Sequence, residues 1–446
     1  AKTLRGGVTS TPEFMARNFI RDQFDAFIQS KVGFRPGIDT IGALADVMKK
    51  SDVYYDWLRS GGGHSTFVDL SRQNLEHMAK GLRGDESALK YLNVINDAQQ
   101  ISQAIEQATR LGVYKAAIRS GKTPIEAGFM AREGTVDFGV HGESKGLKTF
   151  SSITAFFNPA IQGTDRFIRA HTDNPLSTAT KAIASITIPS VALWFINKDD
   201  PDYKELPRWQ KDLFWCIKVG DRGDPITWIR VPKPFLYGQV YGSAPERFLE
   251  YLDTKDPKAV KDFAQTLIDS ATPAQGDPAG VFLPTAIRPL IENATNWQFF
   301  GEKPIVPESR ENLLPYMQYG KYTTETAKII GKKLNWSPSK IENFVRGVSG
   351  GTGQYSLEAM DLALSIINGK EEKGKRPTEW ADIPLVKGFV TRPVETDPQS
   401  LRDFYENTKK IEASYMSYRE SLKTLDIKEA EVIRKEYPKM MIYPSV

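Results

Sequence analysis

The sequence contains almost no cysteine, and this scarcity excludes several kinds of structure at once. Cys216 is the single cysteine among 446 residues, so the chain cannot form an internal disulfide or a zinc site built from several thiolates. The four histidines, His64, His77, His141 and His171, stand far apart and follow no metal-ligand spacing. We therefore expect no metal ion and no cofactor, and a reducing cytoplasm as the place of synthesis.

A charge excess of either sign is also missing. Lysine and arginine number 59 against 55 aspartates and glutamates, which gives a net charge of +4. Such a small, diffuse charge does not predict strong binding to nucleic acid or to a membrane surface. The length allows about two to four domains or one large helical body. No signal peptide is visible, and we expect Ala1 to be a processing site or a boundary within a larger protein.

Complete catalytic signatures are absent, although four short motifs resemble fragments of one. Residues 121–123 (GKT) lack the upstream glycine of a phosphate loop, and residues 350–353 (GGTG) follow no predicted strand, so both predict helix ends or turns. The acidic group at 199–205 lacks the glycine and closing glutamate of a calcium loop, which favours a capping role. Nothing fixes the distance between Glu133 and Asp137 as an acid/base pair. We predict that the chain is not an enzyme.

Signals for the start of a helix are abundant. A capping residue directly followed by proline occurs at Thr11-Pro12, Thr123-Pro124, Asp256-Pro257, Ser337-Pro338 and Asp397-Pro398. The cap side chain accepts from an early backbone N–H, and proline fills a position whose N–H would be unpaired anyway. The predicted fold class is therefore mainly α, a multi-helix packed domain with minor short β elements.

Apolar periodicity and turn residues place the individual elements. We predict one strand, at 226–231, a proline-bounded loop at 199–207, and helices at 12–29, 38–59, 66–80, 86–119, 123–132, 147–170, 181–197, 209–219, 284–297, 323–334, 337–347, 356–367, 397–426 and 427–437. Composition divides the chain into an N-terminal helical region (1–146), a central aromatic and proline-rich region (147–271), a proline-rich connector (272–322) and a C-terminal helical region (323–446).

One apolar segment stands out within the central region. Ala182 to Ile196 carries no charge across fifteen residues, fewer than the roughly 20 residues needed to span a bilayer. A buried core helix is the favoured interpretation, and under it Ile188→Asp would be strongly destabilising. The alternative is a segment that contacts a membrane or a partner, for which the candidate residues are Ile183, Ile186, Ile188, Val191, Trp194 and Phe195.

Basic residues surround this aromatic-rich centre. Arginine and aromatic side chains together can line a strand of nucleic acid, and the candidates for such contacts are Arg166, Arg169, Arg208, Lys211, Arg230 and Lys233. Acidic residues are interleaved among them, which favours paired charges instead. Any contact with DNA is expected to be weak, salt-sensitive and indifferent to sequence.

Six motifs that occur in a fixed order carry a family resemblance. They are FMARNFIRD (14–22), REGTVDFG (132–139), FFNPAIQGTDRFIRA (156–170), NKDDPDYKELPRWQKD (197–212), RVPKPFLYG (230–238) and GSAPERFLEYLD (242–253). Together they resemble a large polyvalent-protein-associated domain over roughly residues 3–406. Such domains lie toward the C-terminal end of very long virion proteins of tailed phages, which include internal core or ejection proteins.

The resemblance implies a structural module that is stored in the capsid and ejected with the DNA, where it helps to form a core or a translocation conduit. The implied partners are other virion or ejection proteins or the portal, phage DNA, further copies of the chain, and the host envelope after ejection. The implied locations are the virion interior and then the host envelope or cytoplasm. Two alternatives are an accessory module of a virion RNA polymerase or transglycosylase, and a non-specific nucleic-acid-binding protein. The family offers no catalytic residue to carry over.

Overall fold

The computed structural model describes residues 2–63, 104–135, 157–221, 226–255, 287–299, 303–367, 379–391, 399–424 and 427–438, with a few isolated positions besides. Helices dominate these ranges, and two short antiparallel sheets accompany them, so the prediction of a mainly α fold is confirmed. The predictions for 66–80, for 86–103, for His64, His77, His141 and Asp137, and for the helix starts at 256 and 397 lie outside the described residues.

The N-terminal helices are α1 (Lys2–Thr9), α2 (Pro12–Gln29), α3 (Ile38–Lys49), α4 (Asp52–Arg59), α5 (104–119) and α6 (Pro124–Glu133). The single helix predicted for 38–59 is wrong. Lys50 adopts a left-handed conformation with φ 48°, and the Ser51 hydroxyl accepts from the backbone N–H of Tyr54 to start a second helix. Between α5 and α6, Gly121 at φ 82° ends one helix and Thr123 forms a complete capping box with Glu126, as the sequence predicts.

A core rich in alanine joins α2 to α6. Its buried members include Trp57 and Leu111 together with small residues such as Ala26, Ala43 and Ala117. Small side chains allow helix backbones to approach closely, and at Gly112 an added Cβ would lie 3.0 Å from the Asp39 carbonyl oxygen. Close packing of this kind is stabilised by many short dispersion contacts.

The central elements are α7 (Phe157–Asp173), α8 (Pro175–Ala182), a π-helical turn (Ile183–Thr187), α9 (Ile188–Asn197), α10 (Pro201–Glu205), α11 (Arg208–Leu213), β1 (Phe214–Lys218), β2 (Trp228–Pro232), α12 (Phe235–Gly238), a second π-helical turn (Gln239–Ser243) and α13 (Ala244–Thr254). β2 confirms the predicted strand. The helix predicted for 209–219 is wrong after Leu213, because residues 214–218 (FWCIK) favour a strand and pair antiparallel with β2. The loop predicted for 199–207 contains the short α10.

The C-terminal elements are α14 (Arg288–Thr295), β3 (Trp297–Gln298), β4 (Lys303–Pro304), α15 (Glu308–Glu311), α16 (Glu325–Leu334), α17 (Pro338–Ser349), α18 (Gly351–Ile367), α19 (Gln399–Lys423) and α20 (Ile427–Glu436). Short 3₁₀ turns lie at Pro315–Met317, Trp380–Asp382 and Val386–Gly388. The chain between α17 and α18 turns at Gly350, φ 63°, as predicted for the glycine group there.

Long-range contacts tie the N-terminal helices to the rest of the described chain, and two of them involve α1 and α2. α1 packs on α17 so closely that a Cβ on Gly7 would lie 1.8 Å from the Ser349 carbonyl oxygen. Residues 386–391, which we call the strap, cross α2 and the outer edge of β2. Within the strap, Val390 forms a bridge with Ile229, and the Phe389 carbonyl accepts from the Arg230 backbone N–H at 2.7 Å.

Candidate functional site

The apolar segment is part of a longer helix than the sequence suggests. α8, the first π-helical turn and α9 run as one helix from Pro175 to Asn197, 23 residues with a mean hydropathy of 1.5 in the most apolar window. Length and composition therefore suffice to cross a membrane, a test that the core helix of a soluble protein also passes. In this fold only 22% of that window is buried.

One narrow stripe of this helix faces the protein. Its buried residues recur every third or fourth position at Ala182, Ile186, Ser190, Trp194 and Asn197. The Ser190 hydroxyl accepts from the Trp215 indole N–H at 2.7 Å, and the Asn197 amide donates to the Cys216 carbonyl at 2.8 Å. Since both partners belong to β1, polar contacts as well as apolar packing hold the helix on the small sheet.

The opposite face of the helix is apolar and exposed. Ile183 is 47% exposed, Ile188 61%, Phe195 57% and Ile196 74%, while Val191 is half-buried. We call these five residues the outer face. The prediction that the segment is a buried core helix is therefore wrong on this side, and Ile188 does not lie in a packed interior. Hydropathy cannot distinguish the two sides of a helix that is apolar all round.

The neighbouring helix α13 extends the apolar surface. α9 packs along α13, and Lys198 pairs with Asp253 at 2.8 Å at the end of both helices. On α13, Phe248 is 59% exposed and Leu252 44%. An exposed apolar surface that two adjacent helices share is typical of a site that contacts a partner or a membrane.

Two prolines explain how the helices lie against each other. Pro189 and Pro245 have no N–H, and each follows a π-helical turn in which the preceding residue donates five residues back, Ile188 to Ile183 and Ala244 to Gln239. The Tyr241 carbonyl, left without its helical donor by Pro245, accepts from the Thr187 hydroxyl at 2.7 Å. The two π-helical turns pack on each other.

Three of the predicted nucleic-acid contacts are buried against protein acceptors. Arg166 donates to the Gln29 side chain at 2.6 Å, and Lys211 donates to the Lys204 carbonyl at 3.0 Å. Lys233 lies between both carboxylate oxygens of Glu246 at 2.8 Å. A phosphate could reach these side chains only if those contacts broke.

The remaining predicted contacts differ in exposure. Arg169 is the most exposed of them, and it pairs with Glu133 at 3.0 Å and Asp165 at 2.8 Å, in agreement with the interleaved acidic residues. Arg208 is half-buried near Glu250, at 3.7 Å. Arg230 lies against the strap, and Arg17 of α2 lies over the same Phe214 ring. The sequence prediction named neither Arg17 nor Arg21, one turn further along α2. Their spacing of four residues in FMARNFIRD was the signal that could have indicated them.

Lys233 belongs to a buried ionic cluster at the base of α13. We define the cluster as Asp212, Lys233, Glu246, Arg247 and Glu250. Arg247 bonds Asp212 at 2.8 Å and also pairs with Glu250. Burial raises the pKa of the Glu246 carboxyl despite the neighbouring cations. Two cations of the cluster therefore meet three carboxylates, and Arg208 adds a third positive charge 3.7 Å from Glu250, so every member has an oppositely charged partner inside the fold.

The acidic residues after α9 cap a helix. Asp200 accepts from the backbone N–H groups of Asp202 and Tyr203 at 2.7 and 3.2 Å, and Lys218 lies 2.6 Å from it. The capping role predicted for this acidic group is thus confirmed.

His171, on α7, has its ring nitrogens 2.7 Å from the Phe167 carbonyl oxygen and the Tyr241 hydroxyl. Among the described residues, no group of three or more His, Cys, Asp or Glu side chains is arranged to hold a metal ion.

Comparison with known families gives one match. The family model described as Large polyvalent protein associated domain 38 matches residues 200–386, which confirms the resemblance inferred from the motifs. The matched span is shorter than the expected 3–406, and the motifs at 14–22, 132–139 and 156–170 lie outside it. No curated protein and no solved structure matches the chain.

Proposed function

The chain carries a Large polyvalent protein associated domain 38 at residues 200–386, and from this premise we propose that it is a structural module of a large internal virion protein of a tailed phage. In this proposal the module is stored in the capsid and leaves with the genome, as part of a core or of a conduit for DNA. It afterwards lies in the host envelope or cytoplasm. It performs no chemical step of its own, and it contacts passing DNA weakly and without sequence preference.

The observation that carries an assembly role is the outer face together with Phe248 and Leu252. Exposed apolar side chains that gather on two adjacent helices are typical of a surface that a partner covers. The outer face is held rigidly, because the opposite stripe is fixed to β1 by the Trp215–Ser190 and Asn197–Cys216 hydrogen bonds. A rigid apolar surface suits packing in an assembly.

We propose that the occupant of this surface is a second copy of the chain. The outer face carries no charge between Lys181 and Lys198, so two identical faces can meet without repulsion between like charges. At the rim, Lys198 and Asp253 already neutralise each other at 2.8 Å. Closed contacts between identical surfaces are the commonest way in which proteins assemble. Other virion proteins, the portal and the host envelope are the competing occupants.

Mass spectrometry of purified phage particles tests the virion proposal directly. Peptides of this chain should be present in mature particles, should resist external protease, and should be lost when the particles are triggered to eject their DNA. Peptides found in infected cells but missing from particles would contradict a virion role and would favour an intracellular protein.

Sedimentation velocity of the purified chain tests the second copy. Wild type should self-associate with increasing concentration, and Ile188→Asp should remain monomeric, because an unpaired carboxylate cannot be buried in an apolar contact. Ser177→Asp, an exposed position on α8 outside the outer face, is the matched control and should associate like wild type. A wild type that remains monomeric but floats with liposomes would replace the second copy by a lipid surface.

A further inference from the structure

Two arginines of α2 and one of β2 lie near each other, and two of them, Arg17 and Arg230, donate to the strap. The guanidinium carbons of Arg17 and Arg230 lie 5.6 and 5.2 Å from the centroid of the same ring, that of Phe214. One helical turn along α2, Arg21 lies 4.5 Å from the ring centroid of Phe235. We call Arg17, Arg21 and Arg230 the arginine cluster. Each of the three residues is half-buried.

The hydrogen bonds of the cluster leave its charge uncompensated. Each guanidinium donates to a main-chain carbonyl, which is neutral: Arg17 to Gly388 at 3.0 Å, Arg21 to Lys233 at 3.2 Å and Arg230 to Lys387 at 3.1 Å. A guanidinium has five N–H groups, of which one carbonyl engages one. The Nε of Arg230 is buried without an acceptor.

No member of the arginine cluster forms an ion pair with a carboxylate in the described part of the chain. Glu13 attracts Arg17, and Asp22 and Asp25 attract Arg21, but none of these acids lies within ion-pair distance of the cluster. The Glu13 carboxylate accepts from the Tyr355 hydroxyl at 2.7 Å, and burial raises the pKa of both Asp22 and Asp25. Three desolvated cations thus share one region, and no carboxylate of the described residues forms an ion pair with any of them.

Such an arrangement is costly for the isolated fold. Carbonyl bonds and aromatic rings stabilise a guanidinium, but they do not cancel its charge, and neighbouring like charges destabilise one another. Folded proteins normally pair partly buried charges with an opposite charge. The buried ionic cluster contains Lys233, whose carbonyl accepts from Arg21. In that cluster the domain places carboxylates next to its buried cations.

We propose that the arginine cluster binds a phosphate group, and that its source is a phosphodiester strand of nucleic acid. Arginine is suited to phosphate because its planar donors engage two oxygens at once. Phe235, which is 47% exposed beside Arg21, provides a ring on which a base can stack. The inference rests on the proposed function, because DNA that passes the module supplies the strand. In this proposal the arginine cluster contacts the DNA in place of Arg166, Lys211 and Lys233, which are buried.

The test measures fluorescence anisotropy of a labelled oligothymidylate with the full chain, together with calorimetric titration of inorganic phosphate. Arg21→Gln and Arg230→Gln should each weaken oligonucleotide binding at least tenfold. Each should also flatten the dependence of affinity on salt by about one counterion. Arg169→Gln is the matched control, because Arg169 is exposed and already paired with two carboxylates, and its affinity should stay within twofold of wild type.

The remaining outcomes separate the sources of the phosphate. Arg21→Lys keeps the charge but loses the planar donors, so its affinity should lie between those of wild type and Arg21→Gln. It serves as the test variant if Arg21→Gln does not fold. If the chain binds inorganic phosphate but not the oligonucleotide, nucleic acid is not the source of the phosphate. Oligonucleotide binding that none of the cluster variants changes would overturn the site. Both results are independent of whether the chain is present in virions, so failure of the proposed function would be recognised separately.

Discussion

The buried ionic cluster and the arginine cluster lie on neighbouring elements, and they differ in how the positive charge of their partly or fully buried side chains is compensated. In the first, Lys233 and Arg247 contact Glu246, Asp212 and Glu250 inside the fold. In the second, Arg17, Arg21 and Arg230 contact only carbonyls and aromatic rings. Charges that are balanced internally serve the structure of the domain, whereas charges left unbalanced at a partly exposed position serve a ligand that brings the missing charge.

The two clusters are joined through a single residue. The Lys233 ammonium belongs to the buried ionic cluster, and the Lys233 carbonyl accepts from Arg21 of the arginine cluster at 3.2 Å. The position of Arg21 therefore depends on a residue that is fixed by buried ion pairs. A binding site positioned by a rigid network loses little conformational entropy when its ligand arrives.

Breaking the buried ionic cluster should have the largest effect on stability. Lys233→Met leaves the Glu246 carboxylate buried without its partner, which typically costs about 3–5 kcal/mol. Chemical denaturation should show this loss. The control is Lys198→Met, which removes the more exposed pair with Asp253 and should cost much less, because water and salt screen an exposed pair. Equal losses in the two variants would mean that burial does not distinguish the two pairs.

The pH dependence of Asp25 should give the next largest effect. Burial raises the pKa of Asp25 to about 7, although Arg166 and Arg21 oppose the shift; Tyr237 also faces this carboxyl. Because the folded-state pKa lies above the ordinary value of 3.8, the folded chain binds the proton more tightly than the unfolded chain. Its stability should therefore fall as pH rises from about 4 to about 7, by up to about 4 kcal/mol.

Asp25→Asn isolates this contribution, since the amide cannot ionise. The variant should equal wild type near pH 4 and exceed it in stability near pH 8, as measured by denaturation at each pH. If wild type shows no such fall, Asp25 is ionised throughout and provides Arg21 with an internal counter-charge. That result would weaken the contrast between the two clusters.

Removing one member of the arginine cluster should have the smallest effect. Arg230→Met takes away a like charge beside Arg17 as well as the bond to the Lys387 carbonyl, and these changes oppose each other. Without phosphate, we expect its stability to stay within about 1 kcal/mol of wild type. Added phosphate should raise the melting temperature of wild type more than that of the variant. A loss as large as that of Lys233→Met would place the arginine cluster among the structural networks.

Local signals in the sequence identified much of the fold. The capping box at Thr123 and Glu126 involves residues three apart, so no distant contact is needed to predict it. The β2 strand follows from alternation over a few residues in the same way. The strand β1 was missed because FWCIK continues an apparent helix, and only its pairing with β2 decides between the two states.

Residue types and their spacing are enough to show that Ala182 to Ile196 is helical and apolar, and that basic residues are close to it in the sequence. The packing of the fold is needed to show that Ile186 is buried while Ile188, two residues away, is 61% exposed. It also shows that Lys233 pairs with Glu246, whereas Arg230 shares the Phe214 ring with Arg17, which lies far away in the chain. The reason is physical: helix formation depends on neighbours a few residues apart, whereas burial and charge compensation depend on which distant segments pack together.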